Sequence, residues 1–419
     1  MPSDMPDPVV LTAALLFDSV SGTTLADQGL LIEAGRISRV GPGEEVLKGA
    51  SVGTHHIDFG DRCISPGMID SHTHLSLAGD GRVYAEMFTD TDEMMVLTGA
   101  MNMKRHLDAG ITTIREHGAR NRVGFTLKEG LARGYIPGPR MQVSGRPITC
   151  TGGHFHFCNE VADGEGEIRR SVRRLVHEGA DYIKVMASGG GTAGTIPGAA
   201  TYTTDELHAA VHEAHHFHRL TAAHCRAKES MVRAVEAGID LMEHAEFLEP
   251  DGEMRFDPKI AEMMAESGIW VSPTLQTWTQ YPRIVELREK RESGISRAEE
   301  EELQRLEDRA EIRLDIMRKM LEYDMQDRVV PGTDSGVNSI AFGHLDYDLR
   351  LLVEVGFTPA EALVSATRIS AEAMGIEAEI GTLEQGKIAD LVIFEGDPSV
   401  DIMACSKVAA IFQAGNRIT

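Results

Sequence analysis

The sequence predicts an α/β protein: a (β/α)8 barrel of the TIM type, with a small β-sandwich built from the two ends of the chain. Three observations lead to this prediction. Strand-like and helix-like segments alternate through the middle of the chain, which is typical of a parallel sheet. Both chain ends contain short strand patterns. Polar residues follow several of the strand candidates, at the end where this fold places its active sites.

The two ends of the chain are expected to fold together. Their strand candidates are short and apolar: Val9–Asp18, Gly29–Ile37, Gly386–Phe394 and Val408–Phe412. Ala34-Gly35 is typical of a hairpin turn. We therefore predict that residues 1–62 and 381–419 form one discontinuous β-sandwich, and that residues 63–380 form the barrel.

Eight strand candidates account for the barrel. They are residues 63–70, 111–116, 140–146, 181–187, 220–224, 240–246, 270–275 and 328–334. The helices between them have recognisable start signals, such as the capping-box pattern Thr203–Glu206. Eight strand–helix units over ~300 residues fit the (β/α)8 architecture.

Composition excludes several classes of protein. The 419 residues include 41 basic and 65 acidic side chains, a formal charge of −24 that disfavours binding to nucleic acid. Five scattered cysteines predict neither a disulfide framework nor a structural zinc knot. No apolar run approaches the ~20 residues of a membrane-spanning helix. The acidic, proline-rich start Met1–Pro8 lacks the features of a signal peptide, so we expect a cytoplasmic protein.

The pattern His72-Thr73-His74 is the strongest indication of a metal site. It follows the apolar stretch 63–69, which is typical of a buried strand. Residues i and i+2 of a strand share a face, so both imidazoles point the same way at the strand's C-terminal end. Two imidazoles on one face can bind one metal ion.

Four further residues end strand candidates, and each has two interpretations. Lys184 is either a lysine that reaches solvent or an ion pair, or a desolvated amine that has added CO2. His224 and His244 are either core histidines or zinc ligands. Asp334 is either a turn residue before a glycine or a metal ligand that also shuttles a proton. Their shared position at strand ends favours the metal-binding interpretation.

Residues 283–326 depart from the rhythm of short helices. They are strongly charged, and their apolar residues keep roughly helical spacing. The segment is either a solvated helical excursion or a cover for the active site or a subunit contact. We expect the solvated excursion, because charge runs usually form solvated faces.

The ordered set His-x-His, Lys, His, His, Asp resembles the amidohydrolase superfamily of metal-dependent hydrolases over nearly the whole chain. The motif Ile183–Gly190 is similar to a branch with prolidase-like and Xaa-Arg/Lys dipeptidases, N-acyl amino acid hydrolases and ochratoxin-type amidases. The resemblance implies two Zn2+ per chain and a CO2-derived carbamate on the bridging lysine. The implied ligands of the first zinc are His72, His74 and Asp334. Those of the second are His224 and His244, with carboxylated Lys184 between the two ions.

The resemblance also implies three residues that contact substrate. His154, after Thr151-Gly152-Gly153, would polarise the scissile carbonyl, although it could be a solvated loop histidine. Tyr202 and Arg226 would bind a substrate carboxylate, although surface tyrosines and arginines are common. The residues around these positions depart from the family pattern at Glu116-His117-Gly118, Phe155-His156-Phe157 and Cys225-Arg226. These departures concern the substrate pocket and leave the metal centre intact.

The implied reaction is hydrolysis of an amide C–N bond in a dipeptide or N-acyl amino acid. A hydroxide bridging the metals would attack the carbonyl, and Asp334 would shuttle the proton. One alternative is a xenobiotic amidase acting on a mycotoxin such as ochratoxin, a phenylurea or a carbamate. Another is a cyclic-amide hydrolase resembling imidazolonepropionase, against which Lys184 argues, since that group lacks the bridging lysine. A non-catalytic scaffold is disfavoured because no ligand is missing. The expected partner is a small-molecule substrate, and relatives suggest a homo-oligomer.

Overall fold

The computed structural model describes residues 7–418 and divides them into two compact units. The first unit comprises residues 7–70, 105–113 and 343–418. The second comprises residues 71–104 and 114–342. Residues 1–6, which form most of the segment used to predict the absence of a signal peptide, lie outside the described residues.

The described residues form fifteen strands. They are β1 Val9–Asp18, β2 Thr23–Glu33, β3 Arg36–Pro42, β4 His55–Asp58, β5 Cys63–Pro66, β6 Met68–Thr73, β7 Ile111–Glu116, β8 Arg140–Val143, β9 Ile183–Met186, β10 Thr221–Ala227, β11 Leu241–Leu248, β12 Trp270–Ser272, β13 Leu391–Phe394, β14 Val408–Gln413 and β15 Asn416–Arg417.

The same residues form fourteen α-helices, and none of them combines the length and apolar character that crossing a bilayer requires. They are α1 Gly43–Gly49, α2 Tyr84–Met87, α3 Asp92–Asp108, α4 Val123–Ala132, α5 Gly164–Glu178, α6 Thr204–His216, α7 Lys228–Ala237, α8 Pro258–Ser267, α9 Leu275–Trp278, α10 Tyr281–Ser293, α11 Arg297–Leu321, α12 Leu345–Val355, α13 Pro359–Val364 and α14 Ser370–Ala373. Helix α6 begins with the predicted capping box between Thr203 and Glu206.

Strands from both chain ends join one sheet in the first unit. Its order is β15-β14-β13-β5-β1-β2-β3, with β4 paired to β1. The predicted hairpin turn joins β2 to β3, and both of its residues, Ala34 (φ 51°) and Gly35 (φ 77°), have the positive φ of a type I′ turn. Apolar residues from both ends of the chain pack into one core, with Leu11, Ile64 and Leu391 fully buried in it. The expected meeting of the two ends is thus present.

Parallel strands organise the second unit. Strands β12, β11, β10 and β9 form a four-stranded parallel sheet in that order, and β6, β7 and β8 form a three-stranded sheet. Isolated parallel bridges extend these sheets: Ile148–Val185, Val271–Val329 and Thr73–Ser335. The bridge at Ile148 connects the segment after β8 to β9. The other two bridges connect β12 to β6 through residues 329–335.

Two predicted strands differ from the observed ones. The candidate 63–70 is divided at Gly67 into β5, which joins the sheet of the chain ends, and β6. A Cβ atom at Gly67 would lie 2.0 Å from Thr112 Oγ1, so the close approach of the backbone requires glycine there. The candidate 328–334 forms only isolated bridges, because Pro331 lacks the N–H that a continuous ladder needs.

The charged segment forms a helical hairpin. Helices α10 and α11 bury Ile284 and Leu287 against Leu303 and Ala310. Ion pairs between the helices are partly exposed: Arg283–Glu302, Arg288–Glu307 and Arg291–Glu300. The hairpin is the predicted helical excursion, and its ion pairs are of the exposed type that adds little stability.

Candidate active site

The six predicted metal ligands line one cavity in the second unit. They are His72, His74, Lys184, His224, His244 and Asp334. Each is at most 5% exposed. Strands β9, β10 and β11 run parallel, so their C-terminal ends deliver side chains to the same edge of the sheet. Residues that are far apart in the sequence therefore lie close together in the folded chain.

Three of these side chains meet at a spacing that suits one zinc ion. His72 Nε2 and His74 Nε2 are 3.4 Å apart. Asp334 Oδ1 lies 3.3 Å from the former and 3.4 Å from the latter. Atoms bound to one tetrahedral zinc at ~2.0–2.1 Å are themselves about 3.3 Å apart. The donor types and their separations therefore fit the metal.

A second pair of imidazoles lies beside the first group. His224 Nδ1 and His244 Nε2 are 2.8 Å apart. The rings of His72 and His244 are 5.1 Å apart between centroids, and His72, His244 and Asp334 place ligand atoms within 4.8 Å of one another. The two groups are thus close enough to serve neighbouring ions.

Each of the four histidines has a hydrogen-bond partner on the ring nitrogen opposite the one that faces the other predicted ligands. The partners of the opposite nitrogens are Glu243 Oε2 for His72 Nδ1 (2.6 Å), the Gly118 carbonyl for His74 Nδ1 (3.4 Å), the Gly189 carbonyl for His224 Nε2 (3.2 Å) and Thr274 Oγ1 for His244 Nδ1 (2.8 Å). When Nδ1 of His72 and of His74 and Nε2 of His224 donate, the other nitrogens of these three rings present lone pairs. His244 Nδ1 instead accepts the Trp278 Nε1–H at 3.0 Å, so the neutral His244 ring carries its proton on Nε2, which is 2.8 Å from His224 Nδ1. Burial lowers the pKa of all four rings well below the usual range, which keeps them neutral.

Lys184 has an unusual environment for a lysine. Its side chain is 1% exposed, and among the described residues its Nζ has no hydrogen-bond partner. The nearest carboxylate oxygen in an ion pair, Glu243 Oε1, is 3.8 Å away. Burial lowers the pKa of Lys184 to about 8, although the Glu243 and Asp334 charges oppose the shift. A neutral amine is therefore accessible near physiological pH.

Glu243 and His117 belong to the site, although the sequence analysis did not select them as site residues. Besides the bond of its Oε2 to His72, Glu243 has its other carboxylate oxygen, Oε1, 3.3 Å from His117 Nε2. The His117 ring stacks on His72 at 4.0 Å, and its Nε2 is 2.8 Å from the Ser71 carbonyl. A carboxylate inside the apolar run Leu241-Met242-Glu243 was the available signal, because burying it without a partner is costly.

Two of the predicted ligands have a strained backbone. His244 has φ 69° and Asp334 has φ 54°, in the left-handed region that non-glycine residues rarely adopt. The Asp334 N–H donates to the His72 carbonyl at 2.8 Å, which helps to hold this conformation. Such strain is concentrated at functional sites, where the surrounding structure maintains it.

His154 faces the same cavity. Its Nδ1 is 2.7 Å from Thr192 Oγ1, which also accepts the Phe155 N–H at 3.2 Å. The threonine hydroxyl can therefore donate to Nδ1, leaving the proton of the neutral ring on Nε2. Burial lowers the pKa of His154 well below its usual range. A Cβ atom at Gly190 would lie 2.5 Å from His154 Nε2, so glycine makes room for this ring.

Arg226 is held rigidly in the wall of the cavity. Its Nε donates to Glu246, and its guanidinium lies 4.0 Å above the centre of the Trp278 ring. The Arg226 N–H donates to Ser188 Oγ at 3.0 Å. Stacking on Trp278 and the buried ion pair with Glu246 fix the orientation of the Arg226 guanidinium before any ligand binds.

Tyr202 is placed apart from these residues. The lining contributed by the described residues includes Tyr84, Phe155 and Trp278 but not Tyr202. Tyr202 is 1% exposed, and its hydroxyl donates to the Ala162 carbonyl at 2.7 Å. The structure thus brings His154 and Arg226 to the cavity with the metal-type ligands, and does not bring Tyr202 there.

Comparison with known proteins gives a consistent result. The model of the amidohydrolase family matches residues 63–418. Ochratoxinase from Aspergillus niger is 26% identical over 437 aligned positions, covering 96% of this chain and 84% of the relative. Its crystal structure superposes with a TM-score of 0.77 at 25% identity, covering 99% of this chain and 96% of that one. A Xaa-Pro dipeptidase with methionine bound in its active site superposes with a TM-score of 0.82 at 25% identity, covering 98% and 99%.

The family match spans most of the chain and includes every residue of the cavity described above. The structural neighbours have mixed α/β architecture of the TIM-barrel type. The chain therefore belongs to the amidohydrolase family, and it is an enzyme that hydrolyses amide bonds.

Proposed function

We propose that this enzyme cleaves the amide bond of a dipeptide or an N-acyl amino acid at a two-zinc site. The observation that carries the proposal is the convergence of the six predicted donors on one buried cavity, where the Lys184 amine makes no hydrogen bond. Among residues 7–418, none gives Lys184 Nζ a hydrogen bond. A buried amine without a hydrogen-bond partner is costly, so we expect a ligand or a covalent change at Nζ.

We also propose that the strands of the second unit belong to a (β/α)8 barrel extending over residues 63–380. The bridges Ile148–Val185, Val271–Val329 and Thr73–Ser335 support closure, because they join the edges of the two sheets. The sheet shared by the chain ends supports the assignment of residues 1–62 and 381–419 to one β-sandwich.

The residues present fit two zinc ions. His72, His74 and Asp334 would hold one ion, and His224 and His244 would hold the other. The Lys184 amine would attack CO2, forming an N–C bond and releasing one proton, and the resulting carbamate would bridge the two sets. When bound, zinc supplies Lewis acidity, which lowers the pKa of water to ~7 and polarises a carbonyl.

Asp334 would act as the proton shuttle. Its Oδ1 lies at the meeting point of His72 and His74, and the side chain is nearly buried. We assign to the Asp334 carboxylate the proton of the attacking water, which it then transfers to the departing amine nitrogen. The amide C–N bond breaks, and the products are a carboxylate and a protonated amine.

His154 and Arg226 would act on the substrate. The Nε2–H of His154 is free to donate to the carbonyl oxygen as negative charge develops there. The Arg226 guanidinium, stacked on Trp278, would donate two hydrogen bonds to the free carboxylate of the substrate. Together they would place the scissile carbonyl next to Asp334.

A second candidate is an aromatic xenobiotic amide, such as a mycotoxin. Two observations favour it. Tyr84, Phe155 and Trp278 contribute aromatic surface to the cavity, and an ochratoxinase is among the relatives. Aromatic side chains provide large apolar contact area at little entropic cost.

Amine release from a substrate library distinguishes these candidates. The zinc-loaded enzyme is mixed with dipeptides and N-acyl amino acids that vary in the C-terminal residue, together with ochratoxin, a phenylurea and a carbamate. The proposal predicts strong cleavage of a defined subset of the dipeptides or N-acyl amino acids. Cleavage of the xenobiotics alone would replace the first candidate by the second, and silence with every compound would contradict both.

A further inference from the structure

Arg313 differs from the other arginines of the charged hairpin. It lies on α11 but is only 1% exposed. Other arginines of α10 and α11 pair with acidic side chains at the surface: Arg283, Arg288, Arg291, Arg297 and Arg318. A buried guanidinium among arginines that are otherwise at least partly exposed requires its own explanation.

The Arg313 guanidinium donates to three backbone carbonyls. Its Nη1 donates to the Ala245 carbonyl at 3.0 Å, and its Nη2 donates to the carbonyls of Pro273 (3.0 Å) and His244. Two of these carbonyls belong to the C-terminal part of β11, and the third belongs to the segment after β12. One side chain of α11 therefore joins two neighbouring strand ends at the cavity.

The residues at this junction have an unusual backbone. His244 (φ 69°), Ala245 (φ 47°) and Thr274 (φ 47°) all lie in the left-handed region. Such conformations persist only where neighbouring contacts hold them. Thr274 follows Pro273 and is the partner of His244 Nδ1 at 2.8 Å. The guanidinium thus fixes both the imidazole that faces the cavity and the threonine that orients it.

We propose that Arg313 is a positioning residue that holds His244 and Thr274 in the geometry for binding metal before the metal arrives. This inference rests on the proposed role of His244 as a ligand. The helical hairpin α10–α11 would therefore hold a ligand of one of the two proposed metal sites in place, in addition to forming part of the protein surface. A lysine could keep the charge and the alkyl stem, but its single ammonium cannot reproduce the rigid fork that spans the three carbonyls.

The test measures zinc release from Arg313→Lys and Arg313→Ala, with the exposed Arg309→Ala on the same helix as control. Zinc-loaded proteins are mixed with a chelator, and the two ions are followed separately as they leave. Losing a residue that orients a metal ligand typically costs ~10–100-fold in affinity or activity. We expect about that acceleration for one ion, with the other ion and the control unchanged.

Two further readouts separate positioning from simple packing of α11. Added guanidinium ion should slow zinc release from Arg313→Ala but not from Arg313→Lys. The visible spectrum of the cobalt-substituted Arg313→Lys enzyme should differ from that of the parent. Zinc release like that of the parent in both folded variants would overturn the inference. A parent enzyme that binds no zinc would instead overturn the proposed function.

Hydrogen exchange of the unaltered enzyme provides a test that requires no variant. If Arg313 organises the site in advance, the backbone amides of residues 244–247 remain protected after zinc is removed. Exchange at the rate of an exposed loop would contradict the proposal, even if neither variant folds.

Discussion

The metal-facing and substrate-facing sides of the cavity differ in how their polar groups are satisfied. On the metal-facing side, among residues 7–418, Lys184 Nζ has no hydrogen-bond partner, and the nitrogens of His72 and His74 converge with Asp334 Oδ1. On the substrate-facing side, Arg226 pairs with Glu246 and His154 pairs with Thr192.

We infer from this difference that one side of the cavity is suited to bind metal ions and the other to bind substrate. A buried amine without a hydrogen-bond partner and crowded ligand atoms are costly, so we expect bound ions to stabilise the proposed metal-facing side. Groups that are already paired keep a fixed orientation, so we expect the proposed substrate-facing side to be preorganised and to bind substrate without rearrangement. Substitutions on the first side should therefore change metal content or the chemical step, and those on the second should change mainly KM.

Lys184→Ala should have the largest effect. Without the amine no carbamate forms, so the bridge between the two ligand sets is lost and hydrolysis should become undetectable. Metal analysis should find that the variant no longer holds two zinc ions tightly, whereas Lys319→Ala, with a side chain 45% exposed on α11, should resemble the parent. Two tightly held ions in Lys184→Ala would refute the bridge.

Asp334→Asn should mainly impair turnover. The amide keeps the size of the side chain but cannot take a proton, and general acid–base groups contribute ~10²–10⁴-fold to rate. We expect a loss of kcat in that range, with much of the zinc retained. Steady-state kinetics and metal analysis on the same preparation check this. Near-normal turnover would exclude the proton-shuttle role.

Arg226→Lys tests the substrate-facing side. Lysine keeps the positive charge opposite Glu246 but loses the fork and the stacking on Trp278. Since hydrogen bonds to charged groups are worth ~1.5–3 kcal/mol, KM should rise about 10-fold or more for substrates with a free carboxylate. Substrates with an amidated carboxylate serve as the control. An equal change for both kinds of substrate would remove Arg226 from carboxylate recognition.

Tyr202→Phe should have the smallest effect. It removes the hydrogen bond to the Ala162 carbonyl, which should lower stability by about 1 kcal/mol. Thermal unfolding and kinetics on carboxylate substrates measure the two consequences, and KM should not change. A substantial rise in KM would return Tyr202 to the substrate-binding role that the resemblance implied.

Much of the architecture could be predicted from local patterns. The strands around Lys184, His224 and His244 are short apolar runs, and their alternation with helices indicated the parallel sheet that is observed. The break at Gly67 could not be predicted, because it depends on a close approach to Thr112 that only the tertiary structure creates. The irregular segment near Pro331 was visible in principle, since proline cannot donate to a ladder.

The ligand candidates were predictable because each lies in or shortly after a strand candidate of the sequence, whereas their supporting residues were not selected. Glu243 precedes His244 and points to His72, a contact between distant parts of the chain. Arg313 lies in a segment whose composition indicates only solvation, and its three acceptors are backbone atoms that carry no sequence signal. Residues that act by orienting others therefore emerge only from the structure.

The central claim is that two zinc ions share a carboxylated Lys184. A crystal of the zinc-loaded enzyme, measured at the zinc absorption edge, tests it most directly. The account predicts two anomalous peaks, one among His72, His74 and Asp334 and one beside His224 and His244, with additional density on Lys184 Nζ between them. A single peak, or an unmodified lysine beside two peaks, would contradict it.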